Sequence, residues 1–308
     1  MRVYVTGAGG FVGGHVARAL RERGAEVRDE RIDLLDRPRL ERALDGCDAL
    51  VHVAALYSYK APIRSLARVN IEGTRSVLAA AARAGVSRIV HTSTAGTCGP
   101  VRGRPATEED GAPAWELTVP YKLTKLEAER IALAAGAIVV NPTTPVGEGD
   151  RKPTPTGAMV RGVARGRIRG FVATTGLNVV DVRDVAIGHA LALELGKPGE
   201  RYLLGGRDLW LEDLFAQIAA IAGRPRPRIR VPYAVARAAG TLGFVNRYEV
   251  RLARLPMFFS SEKAERELGY EPSPIEPALR DAVREALAGT KRDLGVLRDE
   301  VERAAPGV

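Results

Sequence analysis

Cysteine and histidine are scarce in this chain of 308 residues. There are two cysteines, Cys47 and Cys98, and four histidines, without a CxxC pair or a His/Cys cluster. A structural zinc site and a disulfide framework both need such clusters, so we expect neither of them and no metal site. A chain with so few cysteines is typical of a reducing compartment, and we expect a cytoplasmic location.

Long apolar runs and dense blocks of positive charge are also missing. Because no run of about 18 uncharged apolar residues occurs, we expect no integral membrane segment. The start, MRVYVTGAGG, favours a buried strand over a signal peptide. The net charge is +9, but the arginines are scattered along the chain. We therefore expect no nucleic-acid partner.

Short apolar segments alternate with segments of helical periodicity through the first 142 residues. Strands are predicted for RVYVT, AEVRDE, ALVHVAA, SRIVHTST and AIVVNP, with helices between them. Nearly continuous apolar strands separated by helices are typical of a parallel sheet that is covered on both faces. The sequence predicts an α/β fold whose doubly wound parallel sheet forms a dinucleotide-binding core over residues 1–142.

The amino-acid composition and the pattern of predicted elements change after residue 142. PTTPVGEGDRKPTPTG predicts a loop, and GLNVVDV and RYLLGG predict strands around a helix. We expect residues 143–288 to form a smaller α/β substrate-binding cap interleaved with strands that return to the core. Residues 289–308 are charged and are expected to fray. Within the cap, RVPYAVARAAGTLGFVNRYEVRLARL suits either a helix pair or a basic membrane-surface element.

A glycine-rich turn follows the first predicted strand. VTGAGGFVGG places Gly7, Gly10 and Gly13 between that strand and the first helix, with Phe11 and Val12 inside the pattern. The first glycine permits a tight turn, the second a close approach of a pyrophosphate, and the third close helix packing. The free N–H groups of the helix start then attract phosphate. The context predicts dinucleotide binding.

The choice between NAD and NADP stays open. An acidic residue about 20 positions after the glycines suits a ribose diol, whereas an arginine suits a 2′-phosphate. EVRDER supplies both kinds of residue within four positions, from Arg28 to Arg31. By its spacing from Val27, Arg31 lies near the discriminating position, which tilts the expectation towards NADP(H).

TGAGGFVG, VHVAA, VNIEGT, HTSTAG, YKLTK and NPTTPVG occur in an order that resembles the extended short-chain dehydrogenase/reductase superfamily. NPTTPVGEGDRKPTPTG, TGLNVVDVRDVA, GERYLLGG and MFFSSEKAERELGY resemble its branch of dihydroflavonol-4-reductase-like proteins and hopanoid-associated sugar epimerases. The resemblance covers about residues 1–288. It implies a Rossmann-type fold, an NAD(P) coenzyme, a small-molecule substrate, and a homodimer by analogy.

The resemblance also implies roles for single residues. Tyr121 and Lys125 match the YxxxK pair, and Thr94 takes the place of the usual catalytic serine. Further cofactor contacts, beyond the glycine loop and Arg31, are implied at Asp33, Leu34, Ala54, Ala55 and Pro142. Substrate contacts are expected at Tyr57, Asn141, Thr144, Thr156 and Asn178.

The expected chemistry is hydride transfer between nicotinamide C4 and a carbonyl or carbinol carbon, with Tyr121 as acid and base. A free phenol has a pKa near 10, so work near neutrality needs a fall of about three units, or about 4 kcal/mol. A cation about 4 Å away supplies about that much at an effective dielectric constant of about 20. Lys125, one helical turn further on, is the expected cation, and the resemblance implies that it also holds the nicotinamide ribose of the cofactor.

Four function classes stay in play, one of which is the basic membrane-surface protein that the cap segment described above would suit. The first is a ketone or aldehyde reductase, or an alcohol dehydrogenase in reverse. The second is a sugar epimerase or dehydratase that retains its NAD. Nucleotide-sugar epimerases usually carry an arginine for the substrate diphosphate where this chain has Leu177, and this absence favours the first class. The third is a non-catalytic dinucleotide sensor, which the retained Tyr121 and Lys125 disfavour.

Overall fold

The computed structural model describes residues 1–288. Strands and helices alternate through the first half of the chain, as the sequence predicts. The strands are β1 (Arg2–Thr6), β2 (Glu26–Arg28), β3 (Ala49–His52), β4 (Arg88–Thr92) and β5 (Ile138–Pro142). The helices are α1 (Phe11–Glu22), α2 (Arg37–Leu44), α3 (Ile63–Ala67), α4 (Gly73–Arg83) and α5 (Pro120–Ala134).

The second half contains shorter elements. Its strands are β6 (Thr144–Val146), β7 (Gly170–Val172), β8 (Gly176–Asp181), β9 (Arg201–Leu204), β10 (Arg207–Trp210) and β11 (Ile229–Val231). Its helices are α6 (Pro155–Ala164), α7 (Val182–Leu195), α8 (Leu211–Ile221), α9 (Tyr233–Thr241), α10 (Arg247–Leu252) and α11 (Glu262–Leu268). A further helix, α12, extends over 276–288, at the end of the described residues. The predicted tail, 289–308, lies outside the described residues.

Six parallel strands form the main sheet in the order β2-β1-β3-β4-β5-β9. The structure therefore confirms the α/β class with a doubly wound parallel sheet. The strand order reverses between β1 and β3, and ligands of such sheets bind at the carboxyl ends of the strands where this reversal occurs. The division of the chain at residue 142 stays a prediction.

Two apolar clusters cover the two faces of the main sheet. Alternate residues of β1 divide between them, because Val3 and Val5 pack with α1 and α7, whereas Tyr4 packs with α2 and α4. A third cluster fills the cap, where Phe171, Phe215 and neighbours from α6, α8 and α12 surround the sheet β10-β8-β6. No helix among residues 1–288 is long and apolar enough to cross a membrane.

The helical segment that the sequence predicts between β3 and β4 is not a regular α-helix throughout. It begins at Ile63 and widens into a π-helical turn at Arg68–Glu72 before α4. The widened turn contains Asn70, whose amide bonds both the N–H and the carbonyl of Leu56 and reaches the Thr124 hydroxyl. A π-turn is uncommon and gives no periodic signal in sequence.

Three buried histidines lie along the main sheet. His189 of α7 donates from Nδ1 to the Val185 carbonyl, so its Nε2 accepts from the Thr92 hydroxyl, 2.8 Å away. Burial lowers the pKa of His189 to about 4. Burial and the nearby positive charge of Lys125 together lower the pKa of His52 to about 3. Burial also places the pKa of His91 well below its usual value. These rings are therefore neutral in the folded protein at neutral pH.

Acid should destabilise the fold through these rings. As the pH falls, the histidines of the unfolded chain, with a pKa near 6.5, bind protons before those of the folded protein do. The contribution of the neutral rings to stability is therefore fully present above about pH 6.5 and is lost as the pH falls towards 4. We expect His189→Gln to lower the pH slope of the unfolding free energy by about 1.4 kcal/mol per pH unit in this window. Urea titrations at several pH values measure that slope, and an unchanged slope would contradict the assignment.

Candidate active site

The glycine turn lies against the end of β3, at the point of strand reversal. Gly7 has φ = 75°, and a Cβ at this position would lie 2.7 Å from the Ala54 nitrogen. A Cβ on Gly13 would overlap the Gly7 carbonyl, while the Gly10 N–H donates to that carbonyl at 2.9 Å. Side chains at Gly7 and Gly13 are therefore excluded by space.

The start of α1 is open for an anion. Gly10 occupies the N-cap and offers no side chain to the first turn, and nothing lies within 4 Å of a Cβ built at Gly9. Uncapped N–H groups at a helix start attract phosphate through hydrogen bonding and the helix dipole. The residues present thus fit the pyrophosphate of a dinucleotide.

A chain of buried hydrogen bonds fixes β1 beside β3. Thr74 donates its hydroxyl hydrogen to the Asn70 carbonyl, so it accepts from His52 Nε2–H at 3.1 Å. His52 Nδ1 in turn accepts from the Thr6 hydroxyl at 2.7 Å, and this oxygen accepts from the N–H groups of residues 53 and 54. His52 is therefore a structural residue of the crevice.

A cavity of about 1510 Å³ runs from this turn into the cap. Ligand pockets of about 300–1,000 Å³ are usual, so this cavity has room for a coenzyme and a second molecule. Its lining includes the following expected cofactor residues: Gly7, Gly10, Phe11, Val12, Gly13, Arg31, Asp33, Leu34, Ala54, Ala55, Lys125 and Pro142. It also includes Tyr57, Tyr121, Thr144 and Thr156.

Tyr121 lies in the first turn of α5 among other tyrosines. Its ring centroid is 4.6 Å from that of Tyr57 and 5.9 Å from that of Tyr59, and the Tyr57 and Tyr59 hydroxyls are 3.2 Å apart. Burial, with Tyr57, raises the pKa of Tyr121 well above its usual value. This direction corrects the expectation that Lys125 lowers the phenol pKa, because burial is the main cause of the shift in the protein alone and the Lys125 ammonium is bonded to the Thr92 carbonyl.

Lys125 lies one turn further along α5 and is 3% exposed. Its ammonium donates to the Thr92 carbonyl at 2.8 Å, at the carboxyl end of β4. Burial lowers the pKa of Lys125 to about 8, and Glu129 on the next turn opposes that shift. The bond to β4 holds the lysine at the cavity wall between the sheet and α5.

Thr94 and Ser93 are the two hydroxyl residues at this point. Ser93 lines the cavity, but its hydroxyl is enclosed without a partner among the described residues. Thr94 is half-buried and does not line the cavity; its Oγ1 accepts from the Gly96 N–H at 3.3 Å. Since that oxygen already accepts one bond, its own hydrogen remains available for donation.

The structure places Asn141 and Asn178 away from the cavity. The Asn141 amide donates to the Glu129 carboxylate at 2.7 Å and to the Thr94 carbonyl at 3.1 Å. The Asn178 amide donates to the Asp208 carboxylate at 2.7 Å. Both side chains are fully buried and join elements of the fold, so the geometry gives no support to their expected contacts with substrate.

The charged residues after β2 have different partners. Arg28 donates to the carbonyls of Ala43 and Asp45, and the Asp29 carboxylate is bound by Arg21 at 2.6 Å. Arg31 lines the cavity and is exposed, and it has no ion pair with another of residues 1–288. Glu30 also lines the cavity, is exposed and has no ion pair with another of residues 1–288, so Arg31 and Glu30 are both available to a ligand.

The cap end of the cavity contains residues that sequence reasoning missed. Apolar side chains dominate there, namely those of Met159, Ile168, Leu177, Leu211, Leu252 and Met257. Lys152 and Glu249 add opposite charges. These residues are distant in sequence, and although Lys152, Leu177 and Met257 belong to segments that carry the family resemblance, only the folded chain brings them together in one cavity.

Comparisons with known proteins identify the family of the chain. The model of the NAD dependent epimerase/dehydratase family matches residues 3–205. The chain therefore belongs to this family, and it is an NAD(P)-dependent enzyme of the short-chain dehydrogenase/reductase type.

Individual relatives cover nearly the whole chain. A Synechocystis sp. protein named as a candidate dihydroflavonol 4-reductase is 36% identical over 91% of this chain and 93% of its own length. Sterol demethylase protein B of Methylococcus capsulatus is 31% identical over 92% of this chain and 97% of its own length. The crystal structure of gox2253 is 41% identical with a TM-score of 0.81, over 92% of this chain and 96% of that one.

Proposed function

We propose that this enzyme is an NADP(H)-dependent reductase of a ketone or aldehyde group on a largely apolar molecule. The observation that carries the proposal is the apolar cap end of the cavity beside Tyr121. Leu177 lines this end, at the position where nucleotide-sugar epimerases usually carry an arginine. A substrate diphosphate buried here would lack that charge-assisted partner.

The protonation of Tyr121 suits the reductive direction. A phenol with a raised pKa is neutral near pH 7 and can donate its proton to a carbonyl oxygen that gains charge. The reduced coenzyme, when bound, supplies the hydride. In this proposal, Lys125 holds the cavity wall beside Tyr121 through its bond to the Thr92 carbonyl. Thr94 stays the predicted second donor to the substrate oxygen, although its side chain does not line the cavity.

The preference for NADP(H) rests on the charges that follow β2. Asp29 is engaged by Arg21, so its carboxylate is less free to bind a ribose diol. Arg31 remains exposed at the cavity and can pair with a 2′-phosphate in a charge-assisted contact. The names of the two relatives, a candidate dihydroflavonol reductase and a sterol demethylase protein, suit an apolar substrate.

Removing the proton donor tests the chemistry. We expect Tyr121→Phe to lower kcat for NADPH-dependent reduction of aromatic and alicyclic ketones by about 100-fold or more, with NADPH affinity unchanged. The loss of NADPH absorbance measures the rate, and fluorescence titration measures binding. Tyr59→Phe is the matched control, since it removes a neighbouring hydroxyl that bonds Tyr57. Equal rates in Tyr121→Phe and the unmodified enzyme would contradict the assignment of Tyr121 as the proton donor.

Removing the arginine tests the coenzyme. We expect Arg31→Ala to weaken NADPH binding about tenfold, because a charge-assisted contact to the 2′-phosphate is lost, and to leave NADH binding nearly unchanged. Titration of both coenzymes gives the two affinities. Arg42→Ala removes an exposed arginine on α2 and is the control. An unmodified protein that binds NADH more tightly than NADPH would contradict the preference.

A further inference from the structure

The segment that joins α9 to α10 exposes a continuous apolar tip. Leu242 is 72% exposed, Phe244 79% and Val245 47%. On α9, Val235 is 57% exposed, whereas Ala236 and Gly240 form the buried face. Large apolar side chains grouped at one exposed tip indicate a surface that binds a partner.

The surrounding segment is strongly basic. Residues 224–254, here called the docking segment, contain eight arginines and one acidic residue, Glu249. The segment thus supplies most of the chain's net charge of +9. Among residues 1–288, the one arginine of the segment that forms an ion pair is Arg230, which binds Glu212 at 2.7 Å.

A second cavity, of about 840 Å³, lies beside α9. Arg102, Arg237 and Arg254 line it together with the rings of Trp210 and Tyr233. Arg254 lies over the Trp115 ring, and within residues 1–288 none of the three guanidinium groups has a carboxylate partner. Unpaired guanidinium groups beside aromatic rings suit a phosphate at a boundary between water and hydrocarbon.

The docking segment also borders the catalytic cavity. Glu249, Leu252 and Ala253, in and just after α10, line the cap end of that cavity. The exposed tip therefore directly precedes, in the chain, the helix that forms part of the cavity wall.

We propose that the docking segment binds the protein peripherally to an anionic phospholipid surface. Leu242, Phe244 and Val245 enter the boundary between headgroups and acyl chains, and the arginines bind lipid phosphates. The excess of arginine over acidic residues favours a lipid surface over a protein partner. The proposal stands apart from the enzyme's reaction, although such docking would place the cap end of the cavity near apolar molecules dissolved in the membrane.

Vesicle sedimentation with the full chain tests the proposal. We expect binding to vesicles of phosphatidylcholine and phosphatidylglycerol in equal parts to be at least about tenfold tighter than to phosphatidylcholine alone, and to weaken with salt. Phe244→Asp should lower the partition coefficient about tenfold. Leu195→Asp is the matched control, since Leu195 is 56% exposed at the end of α7, and it should bind like the unmodified protein. NADPH titration verifies that each variant is folded.

A second pair of variants tests the role of the arginines in the docking segment. Arg237→Gln should weaken binding to the anionic vesicles about fivefold, while Arg42→Gln should leave it unchanged. Absence of sedimentation with the anionic vesicles would overturn the proposal, as would equal binding by Phe244→Asp. Self-association that Phe244→Asp abolishes, without vesicle binding, would also overturn it and would identify a second copy of the chain as the partner.

Discussion

The close approach of the glycine turn to the end of β3 is the constraint on which the site depends. Gly7 and Ala54 leave no space for a side chain between them, and the Thr6 hydroxyl bonds the backbone just after β3. This contact opens the crevice at the strand reversal and directs the uncapped start of α1 into it. The coenzyme site is thus a consequence of packing between β1, α1 and β3.

Burial then determines the chemistry of the catalytic end. Tyr121 and Lys125 lie on α5, and desolvation drives each towards its neutral form, raising the phenol pKa and lowering the ammonium pKa to about 8. A neutral phenol beside an apolar wall is suited to donate a proton to a carbonyl oxygen. The same apolar wall continues into α10, which follows the exposed tip in the chain, so the proposed reaction and the proposed surface binding involve neighbouring segments of the cap.

Local motifs allowed the sequence to predict one half of the site. The glycine turn, the Tyr121–Lys125 pair and the alternation of strands with helices each depend on short-range spacing, which a single sequence displays. The sign of the Tyr121 pKa shift could not be predicted, because it depends on burial by residues from other elements. The roles of Asn141 and Asn178 depend on Glu129 and Asp208, partners that only the folded chain supplies. The strands β6, β7 and β11 have three residues each and, unlike β2, do not stand in a regular alternation with helices that would reveal them.

The most direct test of the central claim is to denature freshly purified protein and identify any nicotinamide nucleotide that is released, with its stoichiometry. A reductase that exchanges its coenzyme in every cycle should release far less than one nucleotide per chain. The same protein, before denaturation, should take up NADPH more tightly than NADH. Release of NAD or NADH close to one per chain would contradict the account, since a retained coenzyme is the property of an epimerase or dehydratase that reduces and reoxidises NAD within one turnover.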